Sequence, residues 1–143
     1  MVDTRYHPLF ERWLTELAES DEEVFAEVMA LLVALEQHGR DLDDETRDES
    51  HPVVTARYDL HALRRTPPTL STPYADRPPV LRILYGFCTQ PDGTDVAVVL
   101  IAGDKTALGN NWYRPNITEA QARLEQYTRQ HTDLTPIVKR GNR

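Results

Sequence analysis

Two neighbouring stretches decide the fold of this chain: VLRILYGFC at Val80–Cys88 and DVAVVLIAG at Asp95–Gly103. In the first stretch, Leu81 and Ile83 alternate with Arg82, as in a strand whose successive side chains face opposite sides. The second stretch is apolar throughout, which is typical of a central strand covered on both faces. The segment QPDGT between them favours a tight turn. The sequence therefore predicts an antiparallel hairpin in which Arg82 faces away from Leu81 and Ile83.

A further strand and a long connection precede this hairpin. The stretch Val53–Arg65 is rich in β-branched and aromatic residues, which predicts a strand. Residues 66–79 carry a cluster of prolines, and prolines cannot donate the hydrogen bonds of a central strand. We therefore expect a Pro-rich loop at about 66–79, and a small antiparallel meander of three strands.

The N-terminal third has helical periodicity. Apolar residues recur at helical spacing from Leu9 onward, and no strand is visible before Leu9. Ser20 and Glu23 form a capping-box pattern for a second helix, and Gly39 can end that helix in a left-handed conformation. A helical hairpin is predicted, followed by an acidic loop at about 40–50 that is too charged to pack.

The C-terminal part predicts one more helix. Thr118 and Gln121 form another capping-box pattern, so we expect a helix from Thr118 to about His131, followed by a disordered tail at about 135–143. The sequence therefore predicts a single α+β domain over residues 1–143. We expect the last helix to pack on one face of the sheet and the other face to be open.

Charge and composition limit the possible partners. The net charge is −7, but residues 1–50 carry 15 Asp and Glu against 4 Lys and Arg, whereas residues 51–143 carry 8 against 12. The second part could therefore meet phosphate, while the acidic excess is expected on solvated helix faces and in an exposed loop. No secretory signal or apolar segment of membrane-spanning length is visible, so a cytoplasmic protein without a membrane partner is expected.

No nucleotide, metal or redox motif is visible in the sequence. In the segment GDKTALG, Lys105 precedes the later glycine, whereas a phosphate-binding P-loop needs its glycines before the lysine. The spacing of the histidines does not suggest metal ligands, and the lone Cys88 has no partner for a disulfide or a zinc site. We expect neither a metal nor a cofactor.

Four segments together resemble a known family: HALRR (61–65), LRILYGF (81–87), LIAGDKTALGNNWYRPNITEAQARLEQY (100–127) and the helical hairpin ending in EQHGRDL. They are similar to the RelE/HigB superfamily of toxins from type II toxin–antitoxin systems, in the HigB-like or phage Gp49-like branch. The resemblance covers roughly residues 9–131, and the block with GDK and WY is its most specific part.

The resemblance implies a RelE-like α+β fold and a metal-independent endoribonuclease that cuts mRNA on the ribosome and inhibits translation. It also implies a cognate antitoxin, expected to carry a helix-turn-helix. Two alternatives stay open: a non-catalytic ParE-like toxin that inhibits a target such as gyrase, and a degenerate member that acts only as a binding module.

The catalytic residues expected from this resemblance are Arg82, Lys105 and Tyr113. RNA cleavage without metal requires cations that neutralise the phosphorane and a group that transfers a proton. Arg82 and Arg64 are expected to project from the open sheet face and grip phosphate, and Lys105 to add a point charge after the central strand. The alternative for each of these three residues is an ordinary surface cation or one partner of an ion pair.

Tyr113 matches a tyrosine that some members of the family use in proton transfer or base stacking. A phenol with the ordinary pKa of about 10 is a poor base at neutral pH, so adjacent cations would have to lower it. Trp112 is a candidate for stacking on a base or for the core, and Arg114 for a phosphate contact or a loop cap. Arg65 is a candidate RNA contact, with a solvated or paired arginine as the favoured alternative.

Overall fold

The computed structural model of the protein describes residues 2–43, 50–65, 81–104 and 109–139, with Arg65 and Asn110 described by their backbone alone. The α+β class that the sequence predicts is confirmed, with three helices and a mixed sheet in the described residues. The elements are β1 (Asp3–Tyr6), α1 (Pro8–Ser20), α2 (Glu22–His38), β2 (Ser50–Pro52), β3 (Leu60–Arg65), β4 (Leu81–Thr89), β5 (Asp95–Asp104), α3 (Tyr113–Gln130) and β6 (Thr135–Pro136).

The sheet has the spatial order β1-β5-β4-β3-β2, and β6 pairs with β4. The β3, β4 and β5 strands form the predicted antiparallel meander. The predicted turn between β4 and β5 is confirmed, because the Gln90 amide donates to the Thr94 carbonyl and Gly93 adopts a φ of 86°. A side chain with a Cβ rarely adopts this φ, which explains the glycine.

A strand lies before Leu9, where the sequence pattern showed none. The β1 strand pairs in parallel with β5, with Asp3 opposite Val96 and Tyr6 opposite Val99. Its four residues are too few and too polar to show a strand period. The partner strand lies some ninety residues away in the chain, so tertiary pairing decides the conformation of β1.

The strand predicted over Val53–Arg65 forms only in its second half. The β3 strand begins at Leu60, and the separate short strand β2 pairs with it. The residues between the two strands turn, and the Val53 amide donates to the Leu60 carbonyl. The β-branched residues of this segment therefore line a turn rather than extend a strand.

The predicted helical hairpin is present as α1 and α2. The α2 helix ends before Gly39, which has a φ of 54°, as predicted. The cap at its start is Asp21 rather than Ser20, since the Asp21 carboxylate accepts a hydrogen bond from the Val24 amide. The buried residues of the two helices are Phe10, Val28, Leu31, Leu32 and Leu35.

The acidic loop expected at about 40–50 packs at both of its ends, so this prediction was wrong for residues 40–43 and 50. Residues Gly39–Asp43 form a short 3₁₀ helix in which Leu42 is fully buried. Ser50 is buried and begins β2. Residues 44–49 and the Pro-rich loop at about 66–79 lie outside the described residues.

The last helix begins five residues before the predicted start. Thr118 and Gln121 lie inside α3, which runs from Tyr113 to Gln130 and ends next to the predicted His131. Pro115 does not break it, because a proline in the first helical turn lacks only an amide that would have no helical partner. The capping-box pattern at Thr118 was therefore misleading.

Both sheet faces are covered, so the expected open face was wrong. Helices α1 and α2 pack on the face that carries Ile83 and Phe87, which we call the hairpin face. Helix α3 packs on the opposite face, with Leu84 and Leu124 in its core, which we call the α3 face. The expected disordered tail is ordered as far as residue 139, where β6 and a bridge between Tyr58 and Val138 extend the sheet.

Candidate functional site

Two arginines predicted to bind RNA lie side by side at one end of the sheet. Arg64 on β3 is the register partner of Arg82 on β4, and Arg82 is the partner of Gly103 on β5. Strand alternation places both arginines on the α3 face, just beyond the helix, and both are half-buried. Like charges directly opposite one another destabilise a sheet, and an anion that contacts both arginines would offset their repulsion.

Tyr113 and Arg82 are in direct contact. The Arg82 Nε donates a hydrogen bond to the Tyr113 hydroxyl over 2.7 Å, and its Nη1 donates to the Leu81 carbonyl over 2.8 Å. These two bonds use two of the five N–H donors of the guanidinium group and fix its plane. The structure therefore brings together two of the three predicted catalytic side chains.

Packing of Trp112 against β5 sets the position of Tyr113. A Cβ atom at Gly103 would lie 2.9 Å from the Trp112 Nε1, so the glycine is what allows the indole to lie against the strand. Trp112 is only 5% exposed, and its ring meets the Tyr113 ring edge to face at 5.4 Å. This burial disfavours base stacking by Trp112 and supports the alternative of a core residue.

A groove runs along the start of α3, beside the Arg82–Tyr113 pair. It has a volume of about 470 Å³ and lies between the first turns of the helix and the turn that precedes β3. Gln121 spans the two walls, because its Oε1 accepts a hydrogen bond from the Arg57 amide over 2.6 Å. The lining residues are Thr55, Tyr113, Arg114, Ile117, Thr118 and Gln121.

The remaining predicted residues divide between this site and its surroundings. Arg114 is exposed and lines the groove. Arg65 ends β3 in register with Leu81, and its side chain is outside the described part of the structure. Lys105 follows Asp104, the last residue of β5, and lies outside the described residues. The site that the structure assembles is therefore Arg64, Arg82, Tyr113 and Arg114.

The sheet separates this site from the acidic surface of the protein. The helical hairpin, residues 8–38, holds eight Asp and Glu against one arginine, and the remainder of the chain holds equal numbers of acids and bases. The hairpin covers the face opposite the arginines. At physiological salt, the interaction between solvent-exposed charges is largely screened beyond about 8 Å. The sheet with its packed helices is thicker than this distance. The acidic side chains of the hairpin therefore leave the α3 face able to bind anions.

A second polar cluster, which the sequence analysis missed, surrounds the buried His61 at the other end of β3. His61 is 4% exposed, with Nε2 at 2.8 Å from an Asp59 oxygen and Nδ1 at 2.6 Å from an Asp43 oxygen. Arg40 bonds Asp59 and Asp95 over 2.8 Å each. We call these five residues the His61 network. The only signal in the sequence was the Asp-x-His spacing of residues 59 and 61, which shares one face of an extended segment.

Electrostatics favour a charged histidine in this network. Burial lowers the pKa of His61, but the bonds to Asp43 and Asp59 outweigh it and raise its pKa above 6.5. Burial raises the pKa of Asp59, whereas the bonds from His61 and Arg40 lower it to about 2. The network therefore ties the 3₁₀ helix after α2 to the sheet by paired charges, and the burial of His61 suits a structural role.

No family model, curated protein or solved structure matches the chain. Within the described ranges, no group of three or more His, Cys, Asp or Glu side chains could hold a metal ion. Nor does any helix among the described residues have the length and apolar character to cross a membrane.

Proposed function

We propose that the protein is the toxin component of a type II toxin–antitoxin system, with a RelE/HigB-like arrangement of its α+β fold. In this proposal it is a metal-independent endoribonuclease that cleaves mRNA on the ribosome and stops translation. The proposal joins the resemblance carried by the segments HALRR, LRILYGF and GDK…WY to the geometry at the end of the sheet.

The observation that carries the proposal is the contact between Arg82 and Tyr113 beside Arg64. Two guanidinium groups on adjacent strands can hold one phosphate through charge-assisted bonds. The Tyr113 hydroxyl, 2.7 Å from the Arg82 Nε, places a proton-transfer group at the same phosphate. Cations and a proton donor at one point are what RNA cleavage without metal requires.

The reaction assigned to this site is a transesterification. The 2′-oxygen attacks the adjacent phosphorus and its proton leaves to solvent, while the bond to the 5′-oxygen breaks. Arg64 and Arg82 stabilise the charge on the phosphorane. Tyr113 gives its hydroxyl proton to the leaving 5′-oxygen, and the phenolate keeps the hydrogen bond from Arg82 until solvent returns the proton. Lys105 is assigned a further charge at the phosphate by the resemblance.

Cleavage of a defined RNA by the purified protein, with and without translating ribosomes, tests this activity. We expect fragments with a 2′,3′-cyclic phosphate and a 5′-hydroxyl, and more of them when ribosomes are present. Induction of the chain in bacteria should stop translation before DNA synthesis. Intact RNA in both reactions, with DNA synthesis stopping first in cells, would contradict the proposal and favour the gyrase-directed alternative.

The proposed partner is a small antitoxin that carries a helix-turn-helix and is encoded beside this gene. Co-expression of that neighbour should restore growth, and the two chains should co-purify. If no neighbouring gene restores growth after induction, the toxin proposal loses its main support.

One observation favours a second candidate, a non-catalytic binding module. Arg82 bonds two protein groups, Tyr113 and the Leu81 carbonyl, as an arginine with a purely structural role also does. In that case Arg82→Ala lowers the melting temperature of the protein, and the wild type binds RNA without cutting it.

A further inference from the structure

The central strand β5 contains a β-bulge just before the arginine site. On β4, Tyr85 is the register partner of Val99. Its neighbour Leu84 is the partner of Ile101, so Leu100 is an extra residue in β5. Leu100 and Ile101 consequently both pack on the α3 face, where the side chains of a regular strand would alternate between faces. A bulge of this kind re-aims the side chains that follow it in the strand.

The bulge decides which residue of β5 lies beside Arg82. If the ladder continued without the bulge, Ala102 would be the partner of Arg82 and Gly103 would face the helical hairpin, because a slip of one residue moves every side chain to the other face. With the bulge, Gly103 is the partner of Arg82 and lies against Trp112. A Cβ atom at this position would come within 2.9 Å of the indole, so the shifted register is what lets Trp112 pack there.

The side chain of Arg123 on α3 contacts the bulge. Its Nη1 donates a hydrogen bond to the Leu100 carbonyl over 2.8 Å, and its Nε donates to the Glu119 carboxylate over 2.8 Å. The Arg123 side chain is only 16% exposed, and these two bonds fix the plane of its guanidinium group. Hydrogen bonds from a charged donor are stronger than those from a neutral one. Arg123 therefore stabilises the extra residue at the point where the regular ladder is interrupted.

Helix α3 is thus attached to β5 at two points. Trp112 lies against Gly103 at the start of the helix, and Arg123 holds the bulge further along it. Tyr113 lies about 15 Å from Arg123 along the helix axis, given a rise of about 1.5 Å per residue. A second attachment restrains the direction of the helix as well as its position. The Arg123 bond therefore contributes to the distance between the Tyr113 hydroxyl and Arg82.

We propose that Arg123 is a positioning residue of the site. By stabilising the β5 bulge, it keeps Gly103 against the indole of Trp112. It thereby holds the hydroxyl of Tyr113 on the guanidinium group of Arg82. The inference rests on the proposed function for the reaction that this contact serves. The contact itself is measured without RNA, so the two proposals fail separately.

The direct test follows the Nε–H resonance of Arg82 by heteronuclear NMR in the protein without RNA. In the wild type the Arg82 Nε donates to the Tyr113 hydroxyl, and Tyr113→Phe gives the position of the resonance without this bond. Arg123→Met removes the donor to Leu100 and keeps a long side chain of high helix propensity. We expect this variant to move the Arg82 resonance toward its position in Tyr113→Phe. Arg123→Lys keeps an amino donor for the carbonyl, so its Arg82 resonance should stay near that of the wild type.

Glu119→Gln is the control, because it removes the ion pair of Arg123 and keeps the bond to Leu100. The Arg82 resonance of this variant should match that of the wild type. A merely structural role of Arg123 predicts a lower melting temperature with the Arg82 resonance in place, and that outcome would overturn the proposal. An equal displacement in Glu119→Gln or in Arg123→Lys would overturn it too, because the bond to the bulge would then not be responsible. If Arg123→Met does not fold, Arg123→Gln, whose side chain is shorter, takes its place.

Cleavage assays separate this inference from the proposed enzyme. Arg123→Met should slow single-turnover cleavage roughly tenfold or more at an unchanged affinity for RNA, because a small displacement of a reacting group lowers the rate steeply. A displaced Arg82 resonance with no cleavage by any variant contradicts the enzyme and retains the positioning of the contact. An Arg82 resonance in place, with cleavage by Arg123→Met at the wild-type rate, contradicts the positioning role and retains the enzyme. Cleavage at the wild-type rate despite a displaced resonance also overturns the proposal.

Discussion

The side chain of Arg82 reaches from β4 to the first residue of α3, where its Nε donates to the Tyr113 hydroxyl over 2.7 Å. The two residues are 31 positions apart in the chain, and both are half-buried. Trp112, packed against Gly103, holds the start of the helix at this distance from the sheet. Any substitution that moves the helix start therefore moves the hydroxyl away from the guanidinium.

The first prediction concerns the Arg82 charge. Arg82→Ala should lose about 2–4 kcal/mol of transition-state stabilisation, on the order of a hundredfold in cleavage rate, which is the usual effect of deleting one preorganised electrostatic group. Single-turnover cleavage of a defined RNA measures this loss, and circular dichroism reports whether the fold is kept.

Arg129→Ala is the control for charge, because Arg129 is an exposed arginine in the last turn of α3, at the end of the helix opposite Tyr113. It removes an equal charge from α3 at a distance from the site. If both variants slow cleavage equally, the effect is general electrostatic attraction of RNA, and the assignment of Arg82 to the site is wrong.

The second prediction separates the Tyr113 hydroxyl from its ring. Tyr113→Phe should slow cleavage by about a hundredfold or more, since general acid catalysis contributes that much, while the affinity for nucleotides stays near that of the wild type because the ring remains. A rate within twofold of the wild type would mean that Tyr113 serves only as a stacking surface.

The third prediction uses the packing at Gly103. Gly103→Ala places a methyl group 2.9 Å from the Trp112 indole, and neither the ring nor the strand can yield easily. We expect a loss of about 1–3 kcal/mol in the free energy of unfolding, as for other overpacked positions, and slower cleavage because Tyr113 is displaced. Gly93 is no suitable comparison since its φ is positive, so Ala102→Gly on the opposite face serves as the control for backbone flexibility.

Local pattern was sufficient to predict the central elements. The alternation of Leu81, Arg82 and Ile83 placed the arginine on the face opposite the aliphatic residues, and the structure confirms this. The helical hairpin and the turn at Gly93 also follow from short-range rules on periodicity and glycine conformation. In each case the deciding residues are neighbours in sequence.

The incorrect predictions concern features that depend on contacts between residues far apart in the sequence. The β1 strand forms because its polar residues pair with β5, and Leu42 is buried because Arg40 stacks over Phe87 at 4.0 Å and bonds two aspartates. The open sheet face was expected because nothing in the hairpin sequence says on which face it packs. The Arg82–Tyr113 contact follows from where α3 starts, which the pattern at Thr118 placed too late.

The fourth prediction concerns pH and the His61 network. His61 has a raised pKa in the folded protein, so its contribution to the free energy of unfolding is complete below pH 6.5 and is lost as the pH rises through the folded value. Asp59 works in the opposite direction. With a pKa of about 2 against 3.8 when unfolded, it contributes about 2 kcal/mol above pH 4 that is lost as the pH falls toward 2. Asp43, whose pKa is also lowered, adds to the loss in acid.

Chemical denaturation of the wild type from pH 3 to pH 9 should therefore give a free energy of unfolding that is largest between about pH 4 and pH 6.5 and that declines at higher pH. The groups around His61 are Asp43, Asp59, the Tyr85 ring stacked at 5.4 Å and, through Asp59, Arg40. His7 opposes this trend, because burial lowers its pKa and its contribution is lost as the pH falls below 6.5. Only the difference from a variant isolates His61.

His61→Gln removes the titrating group and keeps His7, so the alkaline decline should disappear from the variant. A smaller decline in acid should remain, because Arg40 still bonds Asp59. Loss of one member of a buried charge network costs about 3–5 kcal/mol, which could unfold the variant. A proton NMR titration of the imidazole resonances of the wild type shows directly whether the pKa of His61 is raised, and it does not need a folded variant. We expect the His61 ring, with a carboxylate on each nitrogen, to lose its proton above pH 6.5, and the His7 ring to lose its proton below pH 6.5. A His61 ring that loses its proton below pH 6.5 would show that the two aspartates do not hold its charge, and the predicted alkaline decline would then have no source in this network.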